Sequence, residues 1–213
     1  HPDFFMFCQE LLEKYRFDKR VWSISGSNNQ DDITRGDGSY YFGKTPLIWG
    51  WATWRDRWNE YDLDMTKWPD IKSKNRLDDI FNDKIEKEYW QTIFENFYKN
   101  REPDTYDYQW VFTVLINNGL SIIPNKNLIN NIGFNLEATH TKWEKTTISK
   151  VSSIGDKLIH PKYILCDSKA ERYQFDFFFG GYSIRLKHNL IMRIKAKLKR
   201  ILKKINVKFE SKL

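Results

Sequence analysis

The stretch from residue 46 to residue 58, PLIWGWATWRDRW, holds four of the nine tryptophans in the chain. Its pattern predicts an extended apolar run that turns at Gly50 and continues as a helix. Glycine has no Cβ, so the backbone at Gly50 can adopt dihedral angles that other residues avoid, or let a ligand approach closely. Trp49 and Trp51 would flank that ligand. We therefore interpret Gly50 and Trp51 as part of the wall of a small-molecule or sugar site.

The same tryptophans allow a second interpretation, which is an ordinary buried core. Trp51, Trp54 and Trp58 are spaced i, i+3, i+7, as on one buried face of a helix. The chain contains 9 Trp, 11 Tyr and 15 Phe, and such aromatic side chains suit carbohydrate sites and dense cores alike. We expect Trp54 and Trp58 to be core residues and Trp51 to be functional.

The length and the cysteines limit the class of protein. With 213 residues and 40% hydrophobic residues, the chain can form one domain, or slightly more, with a real core. Cys8 and Cys166 lie far apart and lack the spacing of metal ligands. The sequence therefore predicts neither a disulfide framework nor a zinc site, and it favours a reducing compartment.

Positive charge is concentrated at the carboxyl end of the chain. Residues 184–213 contain 11 Lys and Arg against one acidic residue, whereas the other 183 residues contain 24 Lys and Arg against 27 Asp and Glu. The basic character thus belongs to the tail. Because the body is slightly acidic, we expect no nucleic-acid partner.

The tail has the pattern of an interfacial amphipathic helix. Its apolar residues recur on one side, and basic residues fill the remainder, so the segment is too charged to span a bilayer. We expect the tail to bind an anionic membrane surface and to hold the protein, otherwise cytoplasmic, on the inner face of the cytoplasmic membrane. A helix packed on the body is the alternative. The predicted membrane-binding residues are Arg193, Lys197, Lys199, Arg200, Lys203 and Lys204.

The rest of the chain predicts an α/β domain with strands at 20–25, 39–42 and 120–124. An N-terminal helix and helices at 78–98 and 107–118 are also predicted. The apolar stripe of the N-terminal helix is Phe4, Phe5, Cys8, Leu11, Leu12 and Tyr15. The apolar stripe of the helix at 78–98 is Ile85, Tyr89, Ile93 and Phe97.

Two segments leave alternatives open. The polar segment 26–38 predicts a loop that does not pack, and Gly26, at the carboxyl end of a strand, is a candidate ligand contact. A disordered surface loop is the alternative. The aromatic segment 173–179 predicts either a strand or a membrane-facing wedge.

Six motifs follow one another along roughly residues 1–165. They are HPDFF (1–5), ISG (24–26), YFGKTPLIWGWATWR (41–55), DYQW (107–110), PNKNLINNIGF (124–134) and ATHT (138–141). The most specific of them is WGWATW. In these motifs and their order the chain resembles bacterial nucleotide-sugar glycosyltransferases of the GT-A fold. It is more distantly similar to the N-acetylglucosaminyltransferases that initiate complex N-glycans.

The resemblance implies an α/β, GT-A-like and Rossmann-related domain that lacks its N-terminal nucleotide-binding strands, followed by the basic helix. We expect three segments: 1–165 as the glycosyltransferase part, 166–183 as an aromatic connector and 184–213 as the membrane-surface helix. In the family an acidic motif that binds a divalent metal lies just upstream of the position of His1. We therefore expect these 213 residues alone to be inactive.

The resemblance also assigns roles to residues. Asp107, at the start of a helix, would be the base that takes a proton from the acceptor hydroxyl, and helix capping is the alternative. His140 would contribute to a site for Mn²⁺ or Mg²⁺, although a structural histidine is equally compatible. The expected substrate-binding residues are Gly26, Trp49, Gly50, Trp51, Tyr106, Tyr108 and Trp110.

The expected function is sugar transfer from a nucleotide-sugar donor to a glycan or lipid-linked acceptor in bacterial surface polysaccharide synthesis, with inversion at the anomeric carbon. The alternative is a non-catalytic glycan-binding or membrane-surface module in which the same aromatic residues bind sugar without transferring it.

Overall fold

The computed structural model describes residues 1–102, 104–130 and 150–210, with side chains as far as residue 198 except that of residue 196. The chain forms two compact units, His1–Gln174 and Phe175–Leu213. The first unit is a mixed α/β structure, as the sequence predicts.

The sheet of the first unit has four strands in the order β2-β4-β1-β3 within the described residues. They are β1 (Val21–Ser25), β2 (Tyr40–Gly43), β3 (Trp51–Ala52) and β4 (Leu120–Pro124). Strands β1 and β4 are parallel, and both outer pairs are antiparallel. All five residues of β1 are buried, so both faces of this central strand are covered.

Helices surround the sheet. Those of the first unit are α1 (Asp3–Lys14), α2 (Arg55–Trp58), α3 (Trp68–Ser73), α4 (Lys84–Asn100), α5 (Asp107–Ile116) and α6 (Ser168–Tyr173). Local capping explains the bounds of α4. The side chain of Asp83 accepts hydrogen bonds from the N–H groups of Ile85 and Glu86, and Arg101 ends the helix with φ +58°.

The predicted apolar stripe of α4 is only partly correct. The buried positions are Glu86, Trp90, Phe94 and Phe97. Phe97 is thus buried as predicted, whereas Ile85, Tyr89 and Ile93 are only half-buried. Both sets have helical spacing, and the larger rings go inward because Phe94 packs against Trp68 and Phe112 at 5.7 and 5.2 Å between ring centroids. A similar correction applies to α1, where Phe5 is exposed and Phe7 is buried.

The polar segment after β1 packs, contrary to prediction. Ser27, Asn28 and Gln30 are buried. Asn28 Nδ2 donates to the carbonyl oxygen of Pro124 at 2.5 Å, and Gln30 Nε2 donates to that of Ala170 at 3.1 Å. These distant carbonyl groups replace the water that the amides would otherwise bind.

The tryptophan stretch does not form the single helix face that its spacing suggests. Trp51 lies in β3, opposite Ser25 of β1, and α2 begins only after Trp54. Trp54 is buried as expected, and its Nε1 donates to the carbonyl oxygen of Leu12 at 2.8 Å. The prediction for Trp58 is wrong, because 39% of this residue is exposed.

The second unit consists mainly of α7 (Gly181–Glu210), preceded by a π-helical turn at Gln174–Phe178 that joins the two units. Residues 173–178 are therefore helical, and the strand alternative for this segment is wrong. Arg185 Nε donates to Asp176 Oδ1 at 2.7 Å, which ties the turn to α7. In the part of the chain that the structure describes, no helix combines the length and the apolar character required to cross a bilayer.

Candidate functional site

Gly26 and Gly50 lie together at the carboxyl end of β1. The N–H of Gly26 donates to the carbonyl oxygen of Gly50 at 2.7 Å. Gly50 has φ +58°, and a Cβ added there would lie 2.4 Å from Ile129 Cγ1; one added at Gly26 would lie 2.6 Å from the same atom. Close packing of Ile129 is thus sufficient to require both glycines, and their substrate-binding role stays a prediction. Trp49, beside Gly50, is half-buried.

A cluster of aromatic residues adjoins this edge. Trp51 is its centre: its ring lies 5.5 Å from that of Trp110, 5.8 Å from that of Trp58 and 6.5 Å from that of Tyr106. Trp58 stacks on Tyr61 at 4.5 Å. We call Trp51, Trp58, Tyr61, Tyr106 and Trp110 the aromatic cluster. It brings together three of the predicted substrate-binding residues: Trp51 from β3, Tyr106 from the position just before α5 and Trp110 from α5.

The side chains of the aromatic cluster differ in how deeply they are buried. Trp110 is fully buried, and its indole N–H has no hydrogen-bond partner within the described residues. Tyr106 and Trp58, in contrast, are 45% and 39% exposed. The cluster therefore extends from the core to the surface, where a ligand can contact it.

Asp107 is the first residue of α5, and the cap residue before it, Tyr106, makes no side-chain capping bond. Asp107 Oδ1 accepts hydrogen bonds from the hydroxyl of Thr105 and, at 3.0 Å, from the N–H of Tyr108. Within the described residues, no hydrogen bond reaches Oδ2. One oxygen thus satisfies a free helical N–H, as the capping alternative requires, and the other remains available for a proton.

The negative charge of Asp107 contributes to the raised pKa values of three tyrosines. Burial raises the pKa of Tyr61 to about 12, and the negative charge of Asp107 contributes to the increase. Burial also raises the pKa of Tyr108, with a contribution from Asp107, and that of Tyr89, with contributions from Tyr108 and then Asp107. These phenols therefore stay protonated at neutral pH and can donate hydrogen bonds.

Tyr108 lies apart from the aromatic cluster, although it is adjacent to Asp107 in sequence. Its ring packs edge-on against Trp90 of α4 at 6.3 Å. Successive residues of a helix point in different directions, so the rings of Tyr106 and Tyr108 contact different neighbours. Tyr108 takes part in the packing between α4 and α5, and its substrate-binding role stays a prediction.

The acidic residues that the structure describes do not assemble a metal centre. Asp62 and Asp64 match an Asp-x-Asp pattern, but both are engaged otherwise. Asp62 Oδ2 accepts from the N–H of Lys67 at 3.1 Å, and Asp64 Oδ1 pairs with Arg101 at 2.6 Å. His140 lies outside the described residues. The divalent metal and its ligands stay predictions.

A cavity of about 410 Å³ lies at the other end of the parallel strands, near Leu120. Its ionisable groups already have partners: Lys44 Nζ lies 3.0 Å from Glu86 Oε1, and Glu171 Oε2 accepts from the Thr45 hydroxyl at 2.8 Å. These pairs give the cavity a structural explanation. The aromatic cluster with Asp107 is therefore the candidate functional site.

The sequence did not indicate Tyr61 or the exposure of Trp58. One signal was present, because the two residues are spaced i, i+3 across the end of α2, and this spacing places side chains on the same face of a helical turn. The N–H of Tyr61 donates to the carbonyl oxygen of Trp58 at 2.9 Å, which continues that turn.

Comparison of the chain with family models, with curated proteins and with solved structures gives no match. The function is consequently inferred from the site itself and from the order of the sequence motifs.

Proposed function

We propose that the chain is part of a GT-A-like glycosyltransferase that moves a sugar from a nucleotide-sugar donor to a glycan or lipid-linked acceptor in bacterial surface polysaccharide synthesis. The observation that carries the proposal is the position of Asp107. Its carboxylate begins α5 beside an aromatic cluster that reaches the surface, with Oδ2 unbonded within the described residues. The parallel pair β1 and β4 and the ordered motifs support the same conclusion.

The chemistry requires a base at this position. In an inverting transfer, the acceptor oxygen forms a bond to the anomeric carbon while the bond from that carbon to the diphosphate oxygen breaks. The acceptor hydroxyl loses its proton, and Asp107 Oδ2 takes it. We also propose a requirement for Mn²⁺ or Mg²⁺, with His140 as one candidate ligand. The role of Asp107 as the base does not depend on this metal.

The second unit supports attachment to a membrane surface. Apolar side chains of α7 are exposed, among them Leu186, Leu190, Ile191, Ile194 and Leu198. Basic residues, including Arg193, Lys195 and Lys197, alternate with them along the same helix. Such a helix binds in the interface of an anionic leaflet. The inner face of the cytoplasmic membrane would bring the enzyme to a lipid-linked acceptor.

The activity test is nucleotide-sugar turnover by the full-length protein. UDP-, GDP- and dTDP-linked hexoses are supplied with Mn²⁺ or Mg²⁺ and a lipid extract of bacterial membranes, and release of the nucleoside diphosphate is measured. Release that depends on both one donor and the extract supports the proposal. Sugar binding without release from any donor would instead support the non-catalytic glycan-binding module.

A further inference from the structure

Trp58 and Tyr61 form a stacked pair at the protein surface. Their ring centroids are 4.5 Å apart and their planes differ by 11°. Trp58 is 39% exposed, and it is the most exposed tryptophan among the described residues. Trp68 and Trp90 are almost completely buried. Trp58 instead keeps part of its ring at the surface, next to Tyr61 and the exposed Tyr106, where a ligand can contact the rings.

Tyr106 extends this surface toward Asp107. Its ring stacks on Trp51 with an interplanar angle of 23°, and its hydroxyl oxygen accepts from Trp51 Nε1 at 3.4 Å. The Tyr106 hydroxyl hydrogen is thus left for a ligand. Tyr61 Oη donates to the main-chain oxygen of Tyr106 at 3.1 Å, which joins the stacked pair to the start of α5.

The charge of this surface selects between classes of ligand. Within the described residues, no lysine or arginine makes a hydrogen bond or a cation–π contact with Trp58, Tyr61 or Tyr106. Besides burial, Asp107 and then Tyr106 contribute to the raised pKa of Tyr61, and Asp107 is the carboxylate of the two. Beside these rings a diphosphate anion would meet the Asp107 carboxylate, without a contacting lysine or arginine among the described residues. A neutral pyranose fits, because its C–H face packs on aromatic rings and its hydroxyls bond to phenols.

We propose that Trp58, Tyr61 and Tyr106 form a platform that binds a neutral sugar ring of the acceptor beside Asp107. The assignment of this sugar to the acceptor rests on the proposed function, since Asp107 is the base for an acceptor hydroxyl. Binding of the sugar itself does not depend on that function. The platform therefore predicts that the acceptor is a saccharide, free or lipid-linked, rather than a lipid phosphate without sugar.

Saturation-transfer NMR and calorimetry test the binding step with the full-length protein. The probes are the methyl pyranosides of glucose, galactose, mannose, N-acetylglucosamine and N-acetylgalactosamine. At least one should bind, with saturation strongest on the ring C–H protons. Trp58→Ala should weaken binding about tenfold, the equivalent of one aromatic stacking contact, and Trp58→Phe should restore part of the affinity. Phe17→Ala, which removes another exposed ring, should leave binding unchanged.

The outcomes separate this proposal from the proposed function. Sugar binding that Trp58→Ala weakens, without turnover of any donor, supports the platform and contradicts transfer. Turnover with an acceptor KM that Trp58→Ala and Tyr106→Ala leave unchanged contradicts the platform and supports transfer. If none of the pyranosides binds, or if Trp58→Ala binds them like the wild type, the platform is wrong.

Discussion

The N–H of Gly26 donates a 2.7 Å hydrogen bond to the carbonyl oxygen of Gly50, and the side chain of Ile129 fills the space beside both residues. This contact joins the end of β1 to the turn before β3 and to the segment after β4. The carboxyl end of β1, next to the candidate site, is thus held by a backbone contact. Only residues without a large side chain permit this contact.

Substitution Gly50→Ala should lower the free energy of unfolding by about 2 kcal/mol or more. Two effects add: a positive φ, which costs about 1 kcal/mol for a residue with a Cβ, and the overlap with Ile129. Gly155→Ala is the matched control, because Gly155 has φ +89° with no atom within 4 Å of an added Cβ. Urea unfolding should show a clearly larger loss for Gly50→Ala, and equal losses would contradict the packing account.

Arg57 should be intolerant of lysine. This residue is only 3% exposed, and its guanidinium donates to the carbonyl oxygens of Arg16 and Asp18 at 3.0 Å while lying 4.7 Å from the ring of Trp54. Lysine cannot make these planar contacts together. We expect Arg57→Lys to destabilise the fold by about 3 kcal/mol, and the same change at exposed Arg55 to have little effect. Thermal unfolding of the two variants measures the difference.

Because of Glu171, the free energy of unfolding should fall as the pH rises from acidic values to neutrality. Burial raises the pKa of this carboxyl to about 7, against about 4.3 in an unfolded chain. Between these values the folded state holds a proton that the unfolded state releases, so stability is lost as pH increases and the loss is complete above pH 7.

Substitution Glu171→Gln should remove this dependence and leave the variant more stable than the wild type at pH 8. The difference between the two proteins should grow from pH 5 to pH 8, by up to about 3 kcal/mol. Chemical unfolding at each pH measures it. A wild type that keeps constant stability over this range relative to the variant would contradict burial of an ionisable Glu171.

The tail should bind anionic vesicles through its lysines. Replacing Lys197, Lys199, Lys203 and Lys204 by glutamine should weaken sedimentation with phosphatidylglycerol vesicles more than tenfold, since each basic residue near an anionic leaflet contributes about 1 kcal/mol. Added salt should weaken wild-type binding, and neutral vesicles should bind poorly.

Four exposed lysines of the first unit provide the control for net charge: Lys67, Lys74, Lys84 and Lys99. Their replacement by glutamine should leave vesicle binding unchanged. Equal binding by the wild type, by the tail variant and by a chain without residues 184–213 would exclude the tail as the membrane-binding element.

Local signals in the sequence were sufficient for β4, α1 and α5, because apolar runs bounded by turn or capping residues define such elements. The burial of Asn28 and Gln30 could not be predicted, since the carbonyl groups that accept their hydrogen bonds belong to Pro124 and Ala170, far along the chain. The buried face of α4 likewise depends on its neighbours, because two stripes fit its periodicity.

The candidate site was predictable only in part, because residue type can be read from the sequence whereas contacts between distant segments cannot. Trp51, Tyr106 and Trp110 could be selected by residue type and motif, and the fold brings them together. The stack of Trp58 on Tyr61 depends on the short length of α2, which spacing alone does not indicate. The packing of Tyr108 against Trp90 depends on the position of α4, which no local pattern encodes.

The most direct test of the account is the turnover rate of Asp107→Asn in the full-length protein. Asparagine keeps the shape and can still accept a hydrogen bond from the N–H of Tyr108, but it cannot take a proton. We expect kcat to fall by about 10² or more with donor affinity and thermal stability almost unchanged, while Asp104→Asn, an exposed acid nearby, retains full activity. A rate per folded molecule equal to that of the wild type would show that Asp107 only stabilises the start of α5, and would contradict its role as the base.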